Sequence, residues 1–128
     1  MKRYYKTKKY YDKTTNTTYD SKLEYDFDQY LKTNYPKCKV RKQLSLELIP
    51  KFKDRDGRAV RKCEYKADFV ITDNNGNTYV IDIKPNNKAC IEEKFKIKWK
   101  LAKYIYKNYY FKVVTFDKNT NSWIEIRV

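Results

Sequence analysis

Apolar and polar positions in this chain alternate with two different periods, and the switches between them mark out its elements. From Ser21 to about Thr33, Leu23, Phe27, Tyr30 and Leu31 recur at spacings of 4, 3 and 1. That spacing predicts an amphipathic helix, with Pro36 lying beyond its end. A two-residue period follows from about Lys39 to Ile49, with Val40, Leu44, Leu46 and Leu48 on one face, and predicts a strand. The segment KFKDRDGRAV (51–60) reads as a charged connection. In RKCEYKADFVIT (61–72), Cys63, Tyr65, Ala67, Phe69 and Ile71 alternate, predicting a second strand. Asn74-Asn75-Gly76-Asn77 then predicts a type I′ hairpin turn, whose central residues need positive φ. TYVIDIK (78–84) is the third strand, broken by Pro85, Asn86 and Asn87.

A long helix is expected from about Ile91 to Lys107, with Ile91, Phe95, Trp99, Ala102 and Tyr106 along one side. Two strands, Tyr109–Phe116 and Trp123–Val128, close the chain around the turn DKNTNS. The order is helix, three antiparallel strands, helix, then one or two strands. It predicts one mixed α/β domain over residues 20–128, preceded by a basic Lys/Tyr-rich arm over residues 1–19.

Composition sharpens this. The 128 residues include 30 Lys plus Arg against 16 Asp plus Glu, a net charge of +14. An excess of that size attracts polyanions, of which nucleic-acid backbones are the commonest. If roughly 6 cations reach phosphates, the log–log slope of affinity against salt should lie near −5 on duplex DNA. The 14 tyrosines suit both core packing and stacking on bases. Cys38, Cys63 and Cys90 are odd in number and form no CxxC pair, which argues against a disulfide framework. With no long apolar run and no signal-peptide pattern, a soluble cytoplasmic protein without membrane contact is expected. Histidine is absent. That excludes Ser-His-Asp hydrolases, His-based nucleases and zinc sites built on imidazole, and leaves carboxylates, lysine and a hard metal for any hydrolysis.

Glu24, Asp68, Asp82 and Lys84 carry the candidate chemistry. Asp82 and Lys84 are two apart on a strand and share a face, and Asp68 is on the preceding strand of the same hairpin. Ala67 and Phe69 are expected to turn the other way, into the core. Asp82 lies between Ile81 and Ile83, where an acid is costly without a partner. A divalent ion held by Asp68, Asp82 and the Ile83 carbonyl would be one, and Mg²⁺ accepts such a small carboxylate set. Lys84 would orient a water and stabilise phosphate charge. Glu24 borders the apolar face of the first helix and can reach the metal or its water from the other side. Each residue also has a plainer reading. Ser21 to Glu24 is a capping box, and Asp82 and Lys84 could form a surface pair. Gln43 is either a substrate contact or a solvent-facing strand residue. Lys96, Lys100, Lys103 and Lys107 form a stripe that either tracks a DNA backbone or is the solvated face of a helix.

The helix bearing Glu24, EYKADFV (64–70), the hairpin, and VIDIK (80–84) before a basic helix together resemble the PD-(D/E)XK nuclease superfamily. DSKLEYDFDQYL, QLSLELIPKFK, YKADFV, VIDIK and FKIKWKL are similar to small phage-encoded nucleases of the Holliday-junction-resolvase kind. The resemblance covers about residues 18–128, with Ala67 where a proline often precedes the first acid. It implies an αβββαβ core, its central mixed sheet flanked by helices, and endonucleolytic cleavage of DNA with Mg²⁺ or Mn²⁺. Asp68 would be the first acid, Asp82 the D/E, Lys84 the K and Glu24 the helix carboxylate. A small domain leaves little room for sequence-reading elements, so branched DNA is the expected substrate and a homodimer the expected form. Two other readings remain: a non-catalytic nucleic-acid-binding module, and a nicking subunit of a larger DNA-processing complex.

Overall fold

Residues 8–85 and 91–128 are described by a computed structural model. Tyr10–Asp12 (β1) and Thr17–Tyr19 (β2) pair as a short antiparallel hairpin. Half of the stretch expected as a basic arm is therefore folded, and Tyr19 is buried. Ser21 starts the first helix, α1 (Lys22–Asn34), by accepting a hydrogen bond from the Glu24 N–H at 3.1 Å. One acid is fully enclosed here. Asp28 Oδ2 accepts from the Tyr19 hydroxyl at 2.6 Å and from Lys42 Nζ at 3.1 Å. It thereby ties the hairpin and a neighbouring strand to the helix, and its charge is matched rather than stranded.

The sheet consists of β3 (Lys39–Ile49), β6 (Cys63–Thr72), β7 (Thr78–Ile83), β8 (Tyr110–Asp117) and β9 (Ser122–Ile126), hydrogen-bonded in that order. All pairs are antiparallel except β7 with β8, which are parallel and joined through the second helix, α2 (Glu93–Ile105). The fold is thus mixed α/β, as expected. Phe27 and Leu31 of α1 pack with Phe69, Ile71, Ile81, Ile83 and Val114. Trp99 and Ala102 of α2 pack with Leu46, Tyr65, Ala67, Val70, Val80 and Val113 on the opposite face. Each of the larger side chains among these, from Val upward, contributes about 1.5–3 kcal/mol of burial.

Three expectations change. The charged connection contains a second small hairpin, β4 (Phe52–Lys53) with β5 (Ala59–Val60). The turn after β6 is not type I′, because Gly76 alone has positive φ there, at 84°. The Asp73 carboxylate accepts from the N–H groups of Asn75 and Asn77 and shapes a longer Asx-type turn instead. The third change bears on the site. Val40 packs on the α1 face, but Leu44, Leu46 and Leu48 pack on the α2 face. On β6, Cys63, Tyr65 and Ala67 face α2, whereas Phe69 and Ile71 face α1. Both strands change face at the same level, and at that level Gln43 has a left-handed φ of 54°. Lys42 still pairs with Phe69 and Leu44 with Ala67, so no residue is inserted; Gln43 and Asp68, opposite one another, drop out of the ladder.

Candidate active site

Asp68 lies where two ladders of the sheet fail together. The β3–β6 ladder is interrupted beside it, and the β6–β7 ladder ends at Phe69 and Ile81. Beyond that pair the two strands part, and the Asp68 carboxylate fills the gap: its Oδ2 accepts from the Ile83 N–H at 2.7 Å. The side chain thus satisfies a backbone donor that the broken ladder leaves open. Ala67 and Phe69 point to opposite faces, not to one core as expected, because the strand turns over at this acid.

Asp82 continues β7 on the α2 side, in step with Val80. The Tyr65 hydroxyl donates to its Oδ1 at 2.5 Å. Its Oδ2 is buried and has no aligned hydrogen-bond donor, although Lys84 Nζ stands 3.0 Å away as an ion-pair partner. Lys84 in turn lies over the Phe95 ring at 4.1 Å, which fixes it at the N-terminal end of α2. Its backbone N–H extends the parallel ladder to the Val114 carbonyl at 3.0 Å.

Glu24 approaches from the α1 side. The reciprocal half of the expected capping box is not among the hydrogen bonds of the helix start. Instead, Glu24 Oε1 accepts from Gln43 Nε2 at 3.0 Å. Glu24, Gln43 and Asp68 line a cavity of about 110 Å³ whose other wall is β2, through Thr17, Thr18 and Tyr19. Gln43 is therefore not solvent-facing; it clasps a site residue, and its unusual φ turns it that way.

Three acids so placed oppose one another's ionisation. Burial, then the charges of Asp82 and Glu24, push Asp68 up to about 8. Burial and the charges of Asp20 and Asp82 push Glu24 up to about 7. Burial also raises Asp82, against the pull of Lys84 and Tyr65. Burial and the Asp82 charge raise the Tyr65 phenol, so it remains a donor. Clustered carboxylates with raised pKa values are a mark of functional sites.

The donor set fits a hard divalent cation. It is all oxygen, and it includes a buried carboxylate oxygen, Asp82 Oδ2, without a donor. Among the described residues no three acid or thiol side chains close on one point as a preformed cage. The fitting set is thus Asp68, Asp82 and the Ile83 carbonyl, with Glu24 held aside by Gln43.

The lysine stripe is placed differently. Lys96, Lys100 and Lys103 are exposed on α2, but the helix ends at Ile105 and Lys107 lies past its cap, over the Tyr104 ring at 4.2 Å. Lys96 is engaged by Glu93 at 2.8 Å. Because α2 runs antiparallel to β7, the stripe leads away from Lys84, and its helical part from Lys96 to Lys103 covers about 10 Å along the axis. It is a flank and not a wall of the site. Residues 86–90, including Cys90, lie outside the described residues, as do residues 1–7 of the expected arm.

The family model described as "Protein of unknown function (DUF1064)" matches residues 1–120. The chain belongs to that family. No curated protein matches this member of the DUF1064 family. Among solved structures, "Crystal structure of SSO0001" is similar, with a TM-score of 0.51 and 19% identity over 82% of this chain and 48% of that one. At that identity the likeness is one of fold, and the DUF1064 chain spans about half the length of that structure. No helix among the described residues is long and apolar enough to cross a membrane.

Proposed function

We propose that this protein is a metal-dependent endonuclease of the PD-(D/E)XK kind, hydrolysing phosphodiester bonds in DNA. The observation that carries this reading is the meeting of Asp68, Asp82 and Lys84 where β6 and β7 part, with Glu24 facing them from α1. Mg²⁺ or Mn²⁺ at Asp68, Asp82 and the Ile83 carbonyl would lower the pKa of a water and polarise the scissile phosphate. The remaining chemistry belongs to the chain. Lys84 Nζ presents a positive charge to phosphate oxygens, oriented by Asp82 and by the Phe95 ring. Tyr65 holds Asp82 in one rotamer. Gln43 fixes one oxygen of Glu24 and leaves the other to accept a proton, a task suited to a group titrating at about 7.

The net charge of +14 supports a polyanionic substrate. The small size of the domain supports recognition of branched DNA by shape, in the cytoplasm, or in the host cytoplasm for a phage-encoded member. A four-way junction presents two equivalent strands, so the reading includes a homodimer placing one site on each. The test is cleavage of labelled four-way junction, flap, nicked and linear DNA with Mg²⁺, Mn²⁺ or EDTA. Wild type should cut only with metal, and Asp82→Asn should cut about 100-fold more slowly or worse while its melting temperature is maintained. Equal cleavage by Asp82→Asn, or cutting in EDTA, would overturn it. Binding without cutting under every metal condition would leave a nucleic-acid-binding module.

A further inference from the structure

The connection between β3 and β6 is far longer than its task requires. The two strands are antiparallel neighbours, which a turn of two to five residues can join. This chain uses residues 50–62 and builds a second hairpin from them. Residues 51–62 carry six cations against two acids. One of those acids is consumed by the turn: Asp54 Oδ1 accepts from the N–H groups of Asp56 and Arg58, both at 2.9 Å. The Gly57 N–H returns to the Asp54 carbonyl, and Gly57 takes the positive φ of 82° that closes the turn. The excursion is thus a shaped ribbon. Lys51, Lys53, Arg55, Arg58 and Arg61 are exposed and make no ion pair among the described residues; only Lys62 has a partner, Glu64 at 3.5 Å. Phe52, 45% exposed, lies beside them.

Its position matters as much as its charge. The hairpin leaves the sheet between Ile49 and Cys63, at the end where β7 reaches Ile83 and α1 presents Glu24. Cys63 precedes Asp68 by five residues, about 17 Å along a strand. That sets the base of the hairpin about half a turn of B-DNA from Asp68, with its cations farther out. A two-stranded ribbon also fits the width of a major groove.

We infer that the β4–β5 hairpin is a duplex-DNA clamp, gripping the phosphate backbone half a helical turn or more from the site at Asp68 and Asp82. The clamp rests on the nuclease reading for its register, but its grip on DNA does not depend on cleavage. The experiment is fluorescence anisotropy of labelled linear duplex and four-way junction in EDTA, between about 50 and 200 mM salt. It compares wild type with the triple variant Lys53→Ala, Arg55→Ala, Arg58→Ala, and with the charge-keeping variant Arg55→Lys, Arg58→Lys. The triple variant should bind at least about tenfold more weakly, and its log–log salt slope should be shallower by about 2–3. The charge-keeping variant should retain the wild-type slope, and all three melting temperatures should agree, because the hairpin is outside both cores. An unchanged slope and affinity in the triple variant would overturn the clamp and leave the nuclease reading intact. Binding that weakens as expected in a protein that never cuts would support the clamp and remove the nuclease. No DNA binding by wild type would overturn both.

Discussion

Asp68→Asn should stabilise the metal-free protein while removing the proposed cleavage. In the folded chain the Asp68 carboxyl is pushed from 3.8 up to about 8, first by burial and then by Asp82 and Glu24. A raised acid contributes stability that is fully present below the unfolded pKa and is lost as pH rises to the folded one. Between pH 3.8 and 8 the unfolded chain gives up this proton while the folded chain keeps it, so folding becomes progressively less favourable. At pH 7 the full effect is about 4 kcal/mol. Asp82 and Glu24 titrate together with Asp68, so this substitution alone recovers only part of that, on the order of 2 kcal/mol. Asparagine keeps an oxygen that can accept from the Ile83 N–H and never ionises. In a domain of this size, 2 kcal/mol is a rise of about 8 °C in melting temperature.

The assay is thermal unfolding in EDTA from pH 4 to pH 9. The gain of Asp68→Asn over wild type should be near zero at pH 4, grow through neutrality and level off above about pH 8. On the proposed reading, added Mg²⁺ should then raise wild type and leave the variant unmoved, because an ion held by the folded acid set stabilises only the folded state. Equal gains at pH 4 and pH 8, or a variant less stable than wild type at pH 8, would refute the clustered-acid reasoning.

Two further outcomes follow from the neighbours of these acids. Gln43→Gly should relieve the left-handed φ of 54° but remove the donor to Glu24, two effects of about 1 kcal/mol that oppose, so stability should hold while the proposed cleavage falls. Denaturant midpoints and cleavage rates, read side by side, check that divergence; a variant that loses both was merely damaged. Tyr65→Phe should cost about 1–3 kcal/mol of stability by leaving Asp82 Oδ1 without its donor, and urea unfolding at neutral pH reads this directly. An unchanged midpoint would mean that the hydroxyl does not hold Asp82.

Most of the fold was legible because hydrophobic period survives in the sequence. Phe27 and Leu31 keep helical spacing, and Val80 and Ile81 face different sides of a strand buried on both. The change of face on β3 and β6 was not legible. Cys63, Tyr65, Ala67, Phe69 and Ile71 alternate without interruption, and a strand covered on both faces can turn over without disturbing that pattern. The only sequence sign is a polar residue, Gln43, between Lys42 and Leu44, and its backbone angle is set by tertiary context. Tyr65 was missed for the same reason: its ring packs against Phe95 and Trp99 as the pattern predicts, and only the hydroxyl reaches Asp82. The four candidate residues were legible as a group, since three lie on adjacent strands of one hairpin. That Gln43 links Glu24 to them was not.

Two buried acids of this chain show what the site gives up. Asp28 and Asp82 are both almost fully enclosed. Asp28 has a phenol and two lysines directed at one oxygen, so its charge is answered within the fold. Asp82 has one phenol on one oxygen and one lysine beside the other, and shares its surroundings with Asp68 and Glu24. A chain selected for stability alone could repair this with one more cation or one fewer acid. It instead keeps the surplus of acids where two ladders stop and the sheet opens, which is where the proposed cation would offset the cost of ionising them. The same break in pairing frees the Ile83 carbonyl region from the β6 ladder and turns Gln43 toward Glu24. In this fold the loss of regular structure and the gathering of chemistry have one cause: strands that separate cannot satisfy their own backbone, and the side chain that takes over that duty, Asp68, is a carboxylate.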